Sequence, residues 1–259
     1  MLSVMLFFVR NNCTVMAVNI YSACFDMSKN LKIVVCGSEG RMGRAVRAEI
    51  DKTQGFEFAG GVESGDSPER FAELLRDASL VIDFSFKDAS PVFAESCAAA
   101  GIPFLCGVTG LSEEQMNRLK EAGTRIPVLW SPNMSPAVNI MTAVSGYIAR
   151  KLPGFDIHIH EIHHTAKKDA PSGTALNIAR HIKHETGKEP AMTSARIGGV
   201  TGVHSICFGG QYETLEFVHR AGSRPLFAAG ALMAAEWLAG CAPGFYNYSD
   251  FLNLKELEF

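Results

Sequence analysis

Charge is scarce in this chain. Asp, Glu, Lys and Arg make up 20% of its 259 residues and sum to a formal net charge of −3. Binding a nucleic-acid backbone needs a basic surface, so nucleic acid is excluded as the main partner; a local positive cluster can still hold a small acid. Long apolar runs are also missing. The first nine residues are apolar, but Arg10, Asn11 and Asn12 interrupt them, well short of the roughly 20 apolar residues that cross a bilayer. The same stretch lacks the basic start of a secretory signal, and no membrane association is expected. There is no C-x-x-C pair, and the seven cysteines are odd in number and scattered. That excludes a disulfide framework and points to buried, reduced thiols and a cytoplasmic protein. Neither repeats nor low-complexity segments occur.

What is present suits a large core: 47% of the residues are hydrophobic. Residues 1–30 read as an extension. Met27, Ser28, Lys29 and Asn30 directly precede the first good strand, so the functional protein is expected to begin near Met27, with residues 1–26 poorly packed or absent in cells.

From Leu31 onward strands and helices alternate. Strands are expected at 31–36, 56–62, 80–84, 104–106 and 127–130. Helices are expected at 41–52, 68–76 and 88–100, and another starts at Ser112, where Gln115 completes a capping box. This order predicts an α/β fold, a doubly wound parallel sheet of Rossmann type. The rhythm then changes. A helix over 136–151 precedes a strand over 155–162, in which Asp156, His158 and His160 alternate with Ile157 and Ile159. A helix over 174–186 is followed by strand candidates at 193–197, 203–208 and 213–219, which predict a second, α+β domain with a mixed sheet. The apolar helix 225–239 lacks the charge of a solvated surface and is expected to pack against the first domain or another subunit. The expected division is a dinucleotide-binding domain at 31–134, completed by 220–259, and a substrate-binding and oligomerisation domain at 135–219.

Gly37-Ser38-Glu39-Gly40-Arg41-Met42-Gly43 joins the first strand to the first helix. Glycines at this spacing let backbone N–H groups approach a pyrophosphate at a helix N-terminus, and an acid about 20 residues on, here Glu63, can bind ribose hydroxyls. A glycine-rich strand–helix turn without a ligand is the plainer reading. The strand before, the helix after and the acid in place favour the nucleotide. Glu63 would repel a 2′-phosphate, whereas Arg41 could reach toward one; the balance favours NADH over NADPH. Gly107-Val108-Thr109 and Ser131-Pro132-Asn133-Met134 follow the fourth and fifth strands, where open α/β sheets bind ligands.

The densest chemistry lies at Glu161-Ile162-His163-His164-Thr165-Ala166-Lys167-Lys168-Asp169-Ala170-Pro171-Ser172-Gly173-Thr174. Adjacent histidines in extended chain face opposite ways, so one at most points at a given reacting atom. Lys167 offers a proton and a charge, and the helix start at Ser172, Gly173 and Thr174 offers free N–H groups to a carboxylate. A zinc hydrolase would use His158, His160, His163 or His164, but no H-E-x-x-H helix and no carboxylate or thiolate set accompanies them, so no metal is expected. A non-catalytic nucleotide sensor would need the glycine turn but not Lys167.

Taken together, the Gly37–Gly43 turn and His163-His164-x-x-Lys167-x-Asp169-Ala170-Pro171-Ser172-Gly173-Thr174 resemble the dihydrodipicolinate reductase family. The likeness extends over Ser131–Ser135, Arg196-x-Gly198, Gly202-x-His204, His219-Arg220-Ala221-x-Ser223-Arg224, the 230–238 helix and Pro243-Gly244-Phe245-Tyr246. The resemblance implies hydride transfer from NAD(P)H to 4-hydroxy-tetrahydrodipicolinate with loss of water, in lysine and diaminopimelate synthesis. It implies His163 as proton donor and acceptor, Lys167 as proton donor, and His164, Gly173 and Thr174 as carboxylate binders. It also implies a homotetramer assembled through the second-domain sheets. The chain departs from the family pattern at Thr165 and Ala166, at Ser64 where an Arg often follows the acid, and at Val108, where a threonine is common.

Overall fold

Short β-branched runs bounded by glycine, proline and serine build two sheets in the computed structural model, which describes residues 30–254. The expectations for residues 1–26 lie outside the described residues. In chain order the elements are β1 (Leu31–Cys36), α1 (Arg41–Ile50), β2 (Phe56–Val62), α2 (Pro68–Leu75), β3 (Leu80–Asp83), α3 (Ser90–Ala100), β4 (Phe104–Cys106), α4 (Glu113–Ala122), β5 (Pro127–Trp130) and α5 (Pro136–Lys151). Then come β6 (Asp156–His163), α6 (Gly173–Thr186), β7 (Ala191–Arg196), β8 (Val203–Gly209), β9 (Thr214–Arg220), α7 (Pro225–Ala239), β10 (Gly244–Asn247) and α8 (Tyr248–Phe251).

The first sheet is wholly parallel, with strand order β10-β5-β4-β3-β1-β2. The order reverses between β1 and β3, and ligands of such sheets bind at that switch point, outside the strands' carboxyl ends. Leu31, Ile33, Val35, Leu80, Ile82 and Leu105 face α1 and α7, while Val34, Cys36, Val81 and Phe104 face α2, α3 and α4. Both faces are therefore dry, which is why these strands read as continuous apolar runs. The expected packing of 225–239 against the first sheet is what the structure shows: Ala228, Ala231, Ala234 and Ala235 are fully buried in its core.

The sequence reading did not include β10 and α8. A four-residue strand flanked by Pro and Gly carries too little periodicity, and pairing with β5 supplies the hydrogen bonds that its own sequence cannot specify.

The second sheet has the order β7-β6-β8-β9, with β6 and β7 parallel and the other pairs antiparallel. Along β6 the odd-numbered residues are buried and the even ones half-exposed or exposed. Ile157 and Ile159 pack with Ile206, Phe208 and the Ala175, Ile178 and Ile182 stripe of α6. Gly146 lets α5 approach α6: a Cβ there would stand 2.6 Å from His181 Nε2. Near the start of α6 this apolar face gives way to Glu161, His163 and His204, all buried.

Candidate active site

At the end of β1 the chain must turn at once into α1. Gly37 takes φ 73°, a left-handed value that glycine adopts freely, and its N–H bonds to the Val62 carbonyl at 2.8 Å. A Cβ on Gly43 would run into the Gly37 oxygen, and one on Gly61 into the Ser38 hydroxyl. Gly40, the N-cap of α1, brings no capping side chain, so the first-turn N–H groups face the loop unscreened. Free N–H groups at a helix start beside such a turn can hold a pyrophosphate. Ser38 is buried and donates to Glu63 Oε1 at 2.8 Å; the Glu39 N–H donates to the same oxygen at 2.7 Å. The Glu39 carboxylate pairs with Arg47. Arg41 is exposed and Met42 half-buried.

The other predicted cofactor segments also reach the carboxyl edge of the first sheet. Gly107 follows β4 against the Phe84 ring, which a Cβ at that position would strike. Val108 is buried, and its carbonyl accepts from Trp130 Nε1 at 2.9 Å; Thr109 is exposed. Ser131 Oγ donates to the Asn133 carbonyl at 2.7 Å and thereby shapes its own loop. Pro132 is exposed, and Met134 is buried in the core beside α7. Val108 and Met134 thus have only backbone groups to offer a ligand.

The second half of the site is built where β6 ends. His163 is 8% exposed and Glu161, two residues earlier on the same face, is 0% exposed. His163 Nδ1 bonds to Glu161 Oε2. Arg196, the β7 residue opposite His163, grips the same carboxylate with two prongs, at 2.9 and 3.0 Å, and the Ser172 N–H adds a bond at 3.2 Å. Burial alone would push the Glu161 carboxyl pKa up; the hydrogen bonds from Arg196, Ser194 and His163 outweigh it and hold the group at about 2. For His163, burial pushes the pKa down and the Glu161 carboxylate opposes that shift without cancelling it. His204 packs edge-on against His163, with ring centroids 5.2 Å apart, and shares a 3.1 Å bond with Ser172 Oγ. Burial, with the charges of His163 and His219 beyond it, brings its pKa down to about 4.

His164 lies just past the strand's end and is half-buried; its carbonyl accepts from the Lys167 N–H at 3.1 Å. Lys167 Nζ pairs with Asp169 Oδ2 at 2.8 Å, which holds the Asp169 pKa below the usual carboxylate range. This gives Asp169 a physical role absent from the sequence reading; Lys168 is exposed, with no role that the structure explains. Ser172 caps α6 by accepting from the Ala175 N–H, Gly173 is exposed, and Thr174 is half-buried. Thr174 Oγ1 also accepts from Asn133 Nδ2 at 3.1 Å, so the β5 loop touches the start of α6. His158 and His160 lie on the opposite face of β6 from His163, where both turn to Thr193.

Glu161, Arg196 and His204 have no role that the sequence alone assigns. For Glu161 a signal existed: its parity with His163 on a strand places both on one face. Nothing local pairs Arg196 with Glu161, 35 residues away.

Two family models match in succession: the N-terminus of dihydrodipicolinate reductase over residues 31–134 and its C-terminus over 137–252. Among curated relatives, the 4-hydroxy-tetrahydrodipicolinate reductase of Anaeromyxobacter dehalogenans is 36% identical over 265 residues, covering 86% of this chain and 98% of that protein. The enzyme of the same description from Caldanaerobacter subterraneus is 36% identical over 246 residues, with the same coverages. Among solved structures, the dipicolinate-bound dihydrodipicolinate reductase from Paenisporosarcina sp. TG-14 shares the fold with a TM-score of 0.75 at 18% identity, covering 84% of this chain and 97% of that one. A probable dehydrogenase from Thermotoga maritima shares it at 0.58 and 10% identity, covering 86% and 93%.

Proposed function

The chain belongs to the dihydrodipicolinate reductase family, oxidoreductases of lysine and diaminopimelate synthesis that use a nicotinamide nucleotide, and from that premise we propose how its residues divide the work. The reaction converts 4-hydroxy-tetrahydrodipicolinate, NAD(P)H and a proton into tetrahydrodipicolinate, NAD(P)+ and water. The bound nicotinamide nucleotide supplies the hydride. The observation that carries the assignment is that His163 and the α6 start share the Glu161 carboxylate, Lys167 lies close enough to act on His163, and Thr174 of α6 bonds to Asn133 at the carboxyl edge of the first sheet.

In this reading His163 gives and takes a proton and Lys167 donates one. His164, Gly173 and Thr174 hold the substrate carboxylates through ring N–H, backbone N–H and hydroxyl groups. A ring with two carboxylates needs such cationic and N–H partners, and charge that develops on hydride addition needs a nearby acid. Gly37, Ser38, Glu39, Gly40, Arg41 and Met42 cradle the pyrophosphate, Glu63 takes the ribose, and Gly107, Val108, Thr109 and Ser131 to Met134 line the nicotinamide side. NADH is the favoured cofactor, with NADPH usable. Asp66 Oδ2 accepts the Glu63 N–H at 2.8 Å at the end of β2, and the Glu63 carboxylate would repel a 2′-phosphate. Residues 31–134 completed by 220–259 form the cofactor unit, as the pairing of β10 with β5 supports, and 135–219 the substrate and assembly unit.

A homotetramer is part of the proposal. The face of the second sheet away from α6 carries His158, His160, Ile162, Ser205, Cys207 and Val218, half-exposed or exposed, and a partner sheet can cover it. Action in the cytoplasm fits the free thiols of Cys36, Cys97 and Cys106. Among the described residues no helix is long and apolar enough to cross a membrane.

The test is a coupled assay that generates the unstable substrate from pyruvate and aspartate semialdehyde and follows loss of NADH or NADPH. Turnover is expected with both and a higher kcat/KM with NADH. Nucleotide binding without turnover would leave a sensor instead, and a strong NADPH preference would reverse the cofactor assignment. Light scattering of the purified protein checks the tetramer.

A further inference from the structure

Glu161 sits where an apolar residue would be expected. Its neighbours along the same face, Ile157 and Ile159, are core, and its own side chain is fully buried. An ionised carboxylate is expensive to bury unless it is paired and hydrogen-bonded. Here both oxygens are filled, by the Arg196 fork, the Ser172 N–H and His163 Nδ1. We propose that Glu161, locked in place by Arg196, is the positioning residue of the reduction: it keeps the proton on Nδ1 of His163, so that Nε2 is the nitrogen that exchanges the catalytic proton. The inference rests on the reading of His163 as the proton-handling group.

Three observations carry it. A carboxylate gripped by two guanidinium prongs is acceptor-only, so the hydrogen in its bond to His163 belongs to the ring, and Nε2 is left to the other side. When Nε2 takes up a proton, the same carboxylate faces the resulting imidazolium and stabilises it, the role that a buried acid plays behind a catalytic histidine. The third observation is the space kept in front of Nε2. Gly202 lies just before β8, beside His163; a Cβ there would stand 3.0 Å from Nε2 and 3.4 Å from Cδ2. Gly202 is not among the glycines with positive φ, so its backbone does not call for glycine. A larger residue here would crowd the working nitrogen. Arg196 also donates to the carbonyls of Lys167 and Asp169, so its replacement would disturb Lys167 as well, and Glu161 is the cleaner residue to change.

The experiment is a pH titration of the full-length chain with 15N-labelled histidine, read by NMR beside pH profiles of kcat/KM, for wild type, Glu161→Gln, Glu161→Asp, Gly202→Ala and His163→Ala. The His163→Ala spectrum assigns the His163 signals. In wild type, neutral His163 is expected to carry its proton on Nδ1. Glu161→Gln should lower the His163 pKa, move the His163-governed limb of the rate profile to lower pH by the same amount, and cut kcat by roughly ten- to a hundredfold, the scale seen when an orienting partner is removed; the KM for NADH should stay within about twofold, as expected of a group remote from the nucleotide. Glu161→Asp should restore part of both shifts. Gly202→Ala should lower kcat/KM while leaving the Nδ1 signal in place. A folded Glu161→Gln with the wild-type His163 pKa and turnover overturns the proposal, as does a resting wild-type ring protonated on Nε2. If Glu161→Gln does not fold, the Glu161→Asp titration decides: an unshifted His163 pKa with normal kcat counts against the proposal. Normal turnover by His163→Ala would instead remove the reading of His163 itself, whatever Glu161 does.

Discussion

Asn133 and Thr174 are 41 residues apart, yet Asn133 Nδ2 donates to Thr174 Oγ1 at 3.1 Å. The same side chain accepts the Ser135 N–H at 2.9 Å through Oδ1, and the Asn133 main-chain carbonyl accepts from Asn139 Nδ2 at 2.8 Å. One residue of the β5 loop is therefore bound to the start of α5 behind it and to the start of α6. The two half-sites meet at this bond, and replacing either partner should loosen their register. In a double-mutant cycle of Asn133→Ala and Thr174→Val, the kcat/KM for the dicarboxylate substrate should show a coupling of about 0.5–1.5 kcal/mol, the usual net worth of one hydrogen bond. Strict additivity would mean that the bond does not act in the working enzyme.

On the proposed assignment Lys167 bears on chemistry more than on stability. Its pair with Asp169 is partly exposed, with the carboxylate side chain 58% accessible, and pairs of that kind contribute little to folding. Lys167→Ala should reduce kcat by about 100- to 10,000-fold, the range for losing a positioned acid, with nucleotide affinity close to wild type by fluorescence titration. Asp169→Asn should leave the unfolding midpoint nearly unchanged.

His204 makes stability depend on pH. Its folded pKa of about 4 lies below its ordinary value of 6.5, so the unfolded chain binds the extra proton first as acid is added. The stabilisation is complete above pH 6.5 and is lost as pH falls from 6.5 toward 4. Over that window one proton accounts for a slope of up to about 1.4 kcal/mol per pH unit. Denaturant melts of His204→Gln should show a flatter dependence there than wild type. Glu161 acts lower: its folded value of about 2 lies below the ordinary 4.5, and its stabilisation disappears between pH 4.5 and 2.

Gly230 lies within α7, where alanine would ordinarily improve a helix by about 1 kcal/mol. Here a Cβ would collide with the Met134 carbonyl oxygen and stand 2.9 Å from Tyr248 Oη, which itself donates to the Met134 and Gly230 carbonyls. The collision is with backbone, which cannot swing aside. Gly230→Ala should therefore destabilise by about 1–3 kcal/mol and raise the KM for nucleotide, because the displaced Met134 belongs to the β5 loop. Calorimetry that finds a higher unfolding temperature would refute this.

Much of the molecule was legible because its signals are local. The 31–36 and 80–84 runs alternate with capped helices, and that rhythm alone implies a parallel sheet; Gly37, Gly40 and Gly43 lie where the turn leaves no room for side chains. On β6, the two-residue period separated Ile157 and Ile159 from His158 and His160, and the structure keeps them on opposite faces. The mixed character of the second sheet is legible from the change of rhythm after residue 135, while its order and register follow only from pairing. The strand at 244–247 went unread because its hydrogen bonds come from β5, 117 residues away at Pro127.

The sequence by itself determined the alternation of elements, the glycine-rich turn and the identities of the groups proposed to meet substrate, since each is specified by residues within one turn or one strand. Only the tertiary structure decided how those groups are supported. It brought Arg196 to Glu161, Glu161 to His163 and Asn133 to Thr174, and it turned Asp169 toward Lys167. The physical reason is that a buried charge must find its partner wherever the packed chain provides one, and the spacing of such partners along the sequence follows from the pairing of strands, not from any local pattern.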